Sequence, residues 1–265
     1  VHPGYGFLSE NEQFAEALKK NGVTFVGPTP ENLRDFGNKA TARNMAIAAE
    51  VPVVPGSEEA FATVQAAKEW IEDPANKCSY PVIAKALMGG GGRGIRVVLA
   101  AEDLEPMFTQ ASNEALNAFG DGRCFVEKYV ENPRHIEVQC LGDGTGNVVH
   151  LWDRDCSVQR RHQKVVETAP AMGLPGNTRA LILEDAVNLL KSANYRNAGT
   201  VEFLVDKHGQ HYFMEVNPRV QVEHTVTEEV TGFDIVQVSI VIISICVDCA
   251  FFILSFYSLW KKYNL

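Results

Sequence analysis

T-V-E-F-L-V-D-K-H-G-Q-H-Y-F-M-E-V-N-P-R-V-Q-V-E, from Thr200 to Glu223, is the stretch on which the fold turns. Thr200 to Asp206 and His211 to Val216 alternate as strands do, and Lys207-His208-Gly209-Gln210 joins them as a turn. Pairing Asp206 with His211 and counting outwards sets Glu202 opposite Glu215. Directly opposed like charges destabilise a sheet, so this pairing calls for a positive partner. A divalent cation, Mg²⁺ or Mn²⁺, carried with nucleotide phosphates suits two such carboxylates. Beyond the hairpin, Glu215, Asn217, Arg219, Gln221 and Glu223 fall at every second position, with Val216, Pro218, Val220 and Val222 between them. An extended segment here presents carboxylate, amide, guanidinium, amide and carboxylate to one side. A solvated strand face would also carry mixed charge. Asn, however, is a poor strand former, and Pro218 is confined to an edge or a bulge, which fits a segment lining a cleft.

Upstream of the hairpin, helical and extended patterns alternate, which indicates a mixed α/β (α+β) fold. Ser9 followed by Glu12 predicts a capped helix reaching Lys20, and Thr29-Pro30 predicts a second ending near Gly37. Further helices are expected over 39–50, 59–72, 101–118 and 177–193. Strands are expected over 23–26, 79–86, 95–99, 124–129, 135–141 and 148–154, with a turn at Asp143-Gly144. Gly89 to Gly94 holds five glycines in six positions, which lets the backbone approach an anion closely. A dinucleotide fingerprint needs a helix directly afterwards, whereas Ile95 to Val98 reads as a strand. No Lys-Ser or Lys-Thr follows, so a P-loop is excluded as well. What remains is a glycine-rich hairpin folding over phosphates, with Lys85 on the strand before it. The basic run Asp153 to Lys164 stays open between a nucleic-acid patch, a solvated strand and donors converging on phosphate or bicarbonate.

The 265 residues are 46% hydrophobic and 22% charged, an ordinary globular composition. A formal net charge of −9 argues against a nucleic-acid partner. Six scattered cysteines suit a reducing compartment, and the lone C-x-x-C of Cys246 and Cys249 is a weak metal or redox signal. The opening His2-Pro3-Gly4-Tyr5-Gly6-Phe7 reads as the middle of a loop, and the expectation is a chain incomplete at both ends. Val238 to Trp260 carries 18 apolar residues in 23. As a helix it would reach about 34 Å, so a membrane span is one reading and a buried helix or foreign sequence is another. Asp248 would cost an inserted helix about 2.5–3.5 kcal/mol.

Taken together, these motifs resemble the biotin carboxylase component of biotin-dependent carboxylases, an ATP-grasp fold. The resemblance rests on H-P-G-Y-G-F-L-S-E-N from His2, G-G-G-G-R-G from Gly89 and E-K-Y-V-E-N-P-R-H-I-E from Glu127. R-D-C-S-V-Q-R-R-H-Q-K-V-V-E from Arg154 and E-V-N-P-R-V-Q-V-E-H from Glu215 complete it. Finer detail, such as G-T-V-E-F-L-V-D-K-H-G from Gly199, is most similar to the pyruvate carboxylase branch, with acyl-CoA carboxylase subunits as runner-up. The implied organisation is a remnant of the preceding N-terminal α/β domain over 1–37, an ATP-grasp domain over 38–237, and an unrelated apolar tail over 238–265.

The resemblance also implies roles for individual residues. Lys39, Lys85, Gly91 and Gly92 would hold ATP phosphates, and Glu127, Lys128, Tyr129 and Val130 would form the adenine hinge. His135 and Gln159 would bind the ribose side and His162 the phosphate side. Glu202, Glu215 and Asn217 match metal ligands for Mg²⁺ or Mn²⁺. Lys164, Arg219, Gln221, Val222 and Glu223 match a bicarbonate site in which Glu223 is the base. The partners implied are a biotinyl carrier domain, a carboxyltransferase domain and a second copy of the chain, in the mitochondrial matrix or cytoplasm. Membrane association is implied only if the 238–260 tail inserts. After Gln237 the chain departs from the family pattern, and a further biotin-site arginine is missing, so a relic that binds nucleotide without turnover is the competing reading.

Overall fold

The computed structural model describes residues 1–87, 94–160 and 163–244. Eight α-helices occur among them: α1 (Glu12–Lys20), α2 (Pro30–Gly37), α3 (Lys39–Ala48), α4 (Val64–Glu72), α5 (Leu104–Phe119), α6 (Thr178–Ser192), α7 (His224–Thr231) and α8 (Ile235–Ser244). The strands are β1 (Val82–Ala86), β2 (Ile95–Val98), β3 (Cys124–Lys128), β4 (Arg134–Asp143), β5 (Val148–Arg160), β6 (Gln163–Thr168), β7 (Arg196–Val205) and β8 (His211–Asn217). The chain divides into two units, Val1–Val53 with Asn132–Leu265, and Val54–Glu131.

In the first unit, strands in the order β6-β5-β4-β7-β8 form one antiparallel sheet. Strict alternation along β4 gives this sheet two faces. Ile136, Val138 and Cys140 pack with Val201, Phe203 and Val205 of β7 and with Ile182, Ala186 and Leu189 of α6 in one buried apolar cluster. His135, Glu137 and Gln139 alternate with them and fall on the opposite, polar face. In the second unit, β2-β1-β3 form a smaller antiparallel sheet, whose Val82, Ala84, Val98 and Val126 pack with Phe108 and Ala111 of α5.

Thr29 caps α2 as the sequence indicates, accepting a hydrogen bond from the Asn32 amide at 3.1 Å. At α1 the cap is Asn11 rather than Ser9: its side chain accepts from Phe14 N, so the helix begins at Glu12. Helix α4 starts only at Val64 behind its Thr63 cap, because Phe61 bridges to Cys124 instead of joining the helix. Residues 23–26 form no strand, although Val26 N donates to Val1 O. Strand β5 runs to Arg160 rather than to the expected Arg154, and β6 pairs with it, so the described residues of the basic run lie on strands.

The decisive hairpin carries an irregularity. Its turn-side pairs are Val205 with His211, Leu204 with Tyr212 and Phe203 with Phe213, one residue out of step with the expected Asp206–His211 pairing. A bulge at Met214 then restores the count, so Glu202 does face Glu215. After Asn217 the chain is no longer extended. It bends at Arg219, whose N–H donates to Asn217 O at 2.9 Å, and turns into α7 at Glu223. Helix α8 buries Ile235 and Ile242 against Leu141, Leu151 and Val220. No helix among the described residues is long and apolar enough to cross a membrane, and residues 245–260 of the apolar stretch lie outside the described residues.

Candidate active site

On the polar face of the larger sheet, one row crosses four strands. Arg154 of β5 pairs with Glu137 of β4, Glu137 with Glu202 of β7, and Glu202 with Glu215 of β8. Three carboxylates therefore stand side by side in register, where sequence analysis found two. Such a row persists only if cations are interleaved with it. Arg154 Nε donates to Glu137 Oε1 at 2.5 Å, and Lys39 Nζ lies 3.2 Å from Glu215 Oε2. The ammonium of Lys164 donates to Glu137 at 2.5 Å, Glu202 at 2.7 Å and Glu223 at 2.7 Å. Positive charge thus reaches the opposed Glu202–Glu215 pair from separate side chains of the chain itself.

Burial alone would lower the Lys164 ammonium, but the Glu137 and Glu202 carboxylates outweigh it and hold Lys164 well above its ordinary value. Burial likewise pushes the Glu202 carboxyl up. Hydrogen bonds from His135 at 2.6 Å and from Lys164 more than reverse this and bring it to about 2. The same contest at Glu223, burial against its bond from Lys164, leaves that carboxyl below its usual range. Glu202 also accepts from Asn217 Nδ2 at 2.8 Å and Gln221 Nε2 at 3.2 Å.

A cleft of about 580 Å³ opens over this network. Its walls include His135, Gln159, Lys164, Glu202, Glu215, Asn217, Arg219, Gln221, Val222 and Glu223, so one cavity gathers ten residues singled out in the sequence. Gln159 Nε2 is 2.8 Å from His135 Nδ1, which leaves Nε2 of that ring for Glu202. The Arg219 guanidinium donates through Nε to Glu10 at 2.6 Å and through its NH2 nitrogen to Asn217 Oδ1 at 3.2 Å. Val222 is exposed. The bulge at Met214 turns two consecutive residues, Met214 and Glu215, into the same cavity.

The second unit holds the remaining described candidates. Lys85 of β1 sits opposite Phe125, and Glu127 of β3 sits opposite Ile83, so the two side chains lie diagonally on one face and form an ion pair. Lys128 N donates to Pro55 O and Tyr129 N to Pro81 O, while Val130 is buried. Gly94 ends the glycine segment at φ +72°, where an added Cβ would come within 2.6 Å of Ala86 Cβ. Gly91, Gly92 and His162 lie outside the described residues.

Sequence analysis missed Glu137, Gln139 and Arg154. A signal existed for Glu137 and Gln139, because His135-Ile136-Glu137-Val138-Gln139-Cys140 has the same polar–apolar alternation that exposed the Glu215 row. It also missed Tyr5, Gln163, Met214 and Glu167, which line the cleft.

For a divalent cation, Glu202, Glu215 and Asn217 offer hard oxygen donors on neighbouring strands, a donor set that suits Mg²⁺ or Mn²⁺. His135, Glu137 and Glu202 form another group, with one ligand atom from each within 4.8 Å of the others. Lys164 and Arg154 already hold that group as ion pairs.

Comparison with known proteins shows the family. Residues 38–245 match the family "Carbamoyl-phosphate synthase L chain, ATP binding domain", and residues 1–33 match "Biotin carboxylase, N-terminal domain". Over 240 residues the chain is 58% identical to mitochondrial pyruvate carboxylase of Mus musculus, covering 91% of this chain and 20% of that enzyme. The biotin carboxylase domain of a thermophilic 2-oxoglutarate carboxylase bound to bicarbonate superposes with a TM-score of 0.83 at 45% identity, covering 92% of this chain and 52% of that one. The same domain from Hydrogenobacter thermophilus, in complex with MgADP, ADP and bicarbonate, gives 0.73 at 48% identity over 92% and 53% of the two chains.

Proposed function

Because this chain belongs to the family of carbamoyl-phosphate synthase L chain ATP-binding domains, and within it to the biotin carboxylases, we propose that it carries out ATP-dependent carboxylation of biotin by bicarbonate. The observation that carries the reading is the convergence of Glu223, Glu202 and Glu137 on Lys164 beneath a cleft walled by Arg219 and Gln221. Arg219, oriented by Glu10 and Asn217, would hold the bicarbonate anion, with Gln221 and Val222 beside it. Glu223, ionised at neutral pH, would accept the bicarbonate hydroxyl proton as the conjugate oxygen attacks the γ-phosphorus of ATP. The products are ADP and carboxyphosphate; carboxyphosphate splits into CO₂ and phosphate, that phosphate takes the N1 proton of biotin, and N1 bonds to CO₂. Lys164 would keep a fixed positive charge against the developing anion.

Glu202, Glu215 and Asn217 would hold Mg²⁺ or Mn²⁺, which when bound neutralises phosphate charge. For the nucleotide, Lys39, His135 and Gln159 keep the roles implied by the resemblance, as do Lys85, Gly91, Gly92, Glu127, Lys128, Tyr129, Val130 and His162. The mouse and human relatives, both named mitochondrial pyruvate carboxylase, support a matrix location and pyruvate as final acceptor, with oxaloacetate as product. That step needs a biotinyl carrier and a carboxyltransferase domain as partners.

The test is ATP cleavage with and without bicarbonate across a Mg²⁺ titration, for the 265-residue chain and for Glu223→Gln and Glu215→Gln. Bicarbonate-dependent cleavage is expected in the wild type, with a loss of about 100-fold or more in Glu223→Gln. A higher Mg²⁺ requirement is expected in Glu215→Gln. Cleavage that ignores bicarbonate, or a fully active Glu223→Gln, would overturn the reading.

A further inference from the structure

Gln221 and Glu223 stand on a bend between β8 and α7 rather than on a strand, so no ladder of backbone hydrogen bonds fixes them. Something else must. Arg154, with its side chain fully buried, reaches that bend from β5 on the far side of two strands. Its NH2 donates to Gln221 Oε1 at 3.1 Å, and its NH1 donates to Thr227 Oγ1 of α7 at 2.8 Å. The same guanidinium donates to Glu137 at 2.5 Å, to Gln139 Oε1 at 2.9 Å and to Thr200 Oγ1 at 3.4 Å, which anchors it to β4 and β7. We propose that Arg154 is a positioning residue that pins the 218–227 bend to the sheet and so sets Gln221 and Glu223 against Lys164. It touches no reacting group in this arrangement.

The physical case rests on how many separate elements a single planar group joins. A guanidinium offers five donors in a fixed fork, and here they reach five side chains on three elements and the bend. Two cations, Arg154 and Lys164, face the three carboxylates Glu137, Glu202 and Glu223. By bonding to Glu137, Arg154 also holds one of the three acceptors that locate the Lys164 ammonium. His135 and Gln159, assigned to the nucleotide, form no hydrogen bond with it among the described contacts. A fault at Arg154 should therefore reach bicarbonate handling and spare nucleotide binding. In that respect the inference rests on the proposed function.

Arg154→Lys keeps the charge but cannot span five acceptors, and Thr227→Val removes one acceptor without changing size. Both are to be made in the 265-residue chain. Hydrogen–deuterium exchange should show faster amide exchange over 218–227 in both variants, with the 178–192 helix unchanged. In the kinetics, Arg154→Lys should raise the KM for bicarbonate about tenfold or more, with Thr227→Val in the same direction but smaller, and the KM for ATP within twofold. Unchanged exchange in the bend, or equal rises in both KM values, would overturn the proposal. A wild type without bicarbonate-dependent cleavage would remove the functional reading instead, and the exchange result would still decide whether Arg154 pins the bend.

Discussion

Removing the Lys164 ammonium would leave Glu137, Glu202 and Glu223 facing one another without their shared donor. Breaking a buried ion pair by deleting one partner costs about 3–5 kcal/mol, because the charge left behind stays desolvated. Lys164→Met is expected to lower stability by that order in urea unfolding, and a loss under about 1 kcal/mol would mean the carboxylates find other partners. Asp155 gives a pH-dependent case away from the cleft. Burial pushes its carboxyl up, but hydrogen bonds from Ser157 and from Arg134 at 2.6 Å outweigh this and leave it below its usual value. A carboxyl lowered by folding stabilises above the ordinary carboxylate range, and that contribution fades as pH falls through the lowered value. Asp155→Asn should therefore destabilise at pH 7 and approach the wild type at the acid end of the folded range. An equal loss at both pH values would assign the effect to packing. At this scale the Glu202–Glu215 pair was legible, since alternation fixes which side chains share a face. Arg154 was not, because a buried guanidinium leaves no periodic mark, and its five partners are scattered from Glu137 to Thr227.

The hairpin from Arg196 to Asn217 makes the corresponding point for elements. Its strands, turn and carboxylate pair were readable from alternation and the Gly209 turn, whereas the Met214 bulge was not. The turn pairs Val205 with His211, and one extra residue is absorbed before Glu215. Deleting Met214 should consequently let the turn-side register run through unbroken and keep Glu202 opposite Glu215. A folded chain weakened by about 1–2 kcal/mol is expected by circular dichroism and thermal unfolding. Deleting Leu204 instead would move alternate side chains to the wrong face and should prevent folding. Equal outcomes for the two deletions would refute the bulge argument. The bend after Asn217 escaped sequence reading for a related reason: the polar residues at every second position satisfy a strand pattern, yet Pro218 removes a donor and Glu223 opens a helix. Gly94 is the opposite case, where the composition did indicate the geometry. Gly94→Ala forces an L side chain to φ +72° and against Ala86. It should cost about 1–3 kcal/mol, read as a lowered melting temperature.

Across the whole molecule, the two units carry cores of their own, and this decides how damage should spread. Phe108 is 1% exposed in the cluster formed by β1, β2, β3 and α5, within Val54–Glu131. Leu189 is fully buried beneath the larger sheet, in the unit that holds the cleft. Truncating either should cost about 2–5 kcal/mol through lost transfer energy and the cavity left behind. Cooperative units open with their own free energies, so a core defect should be felt first by the amides that share the core. In native-state hydrogen exchange, Phe108→Ala is expected to speed exchange over 82–128 and leave 178–205 near its original rates. Leu189→Ala should do the reverse. Exchange that rises uniformly in both variants would show that the chain opens as a single cooperative body, and unfolding data could then be treated as two-state.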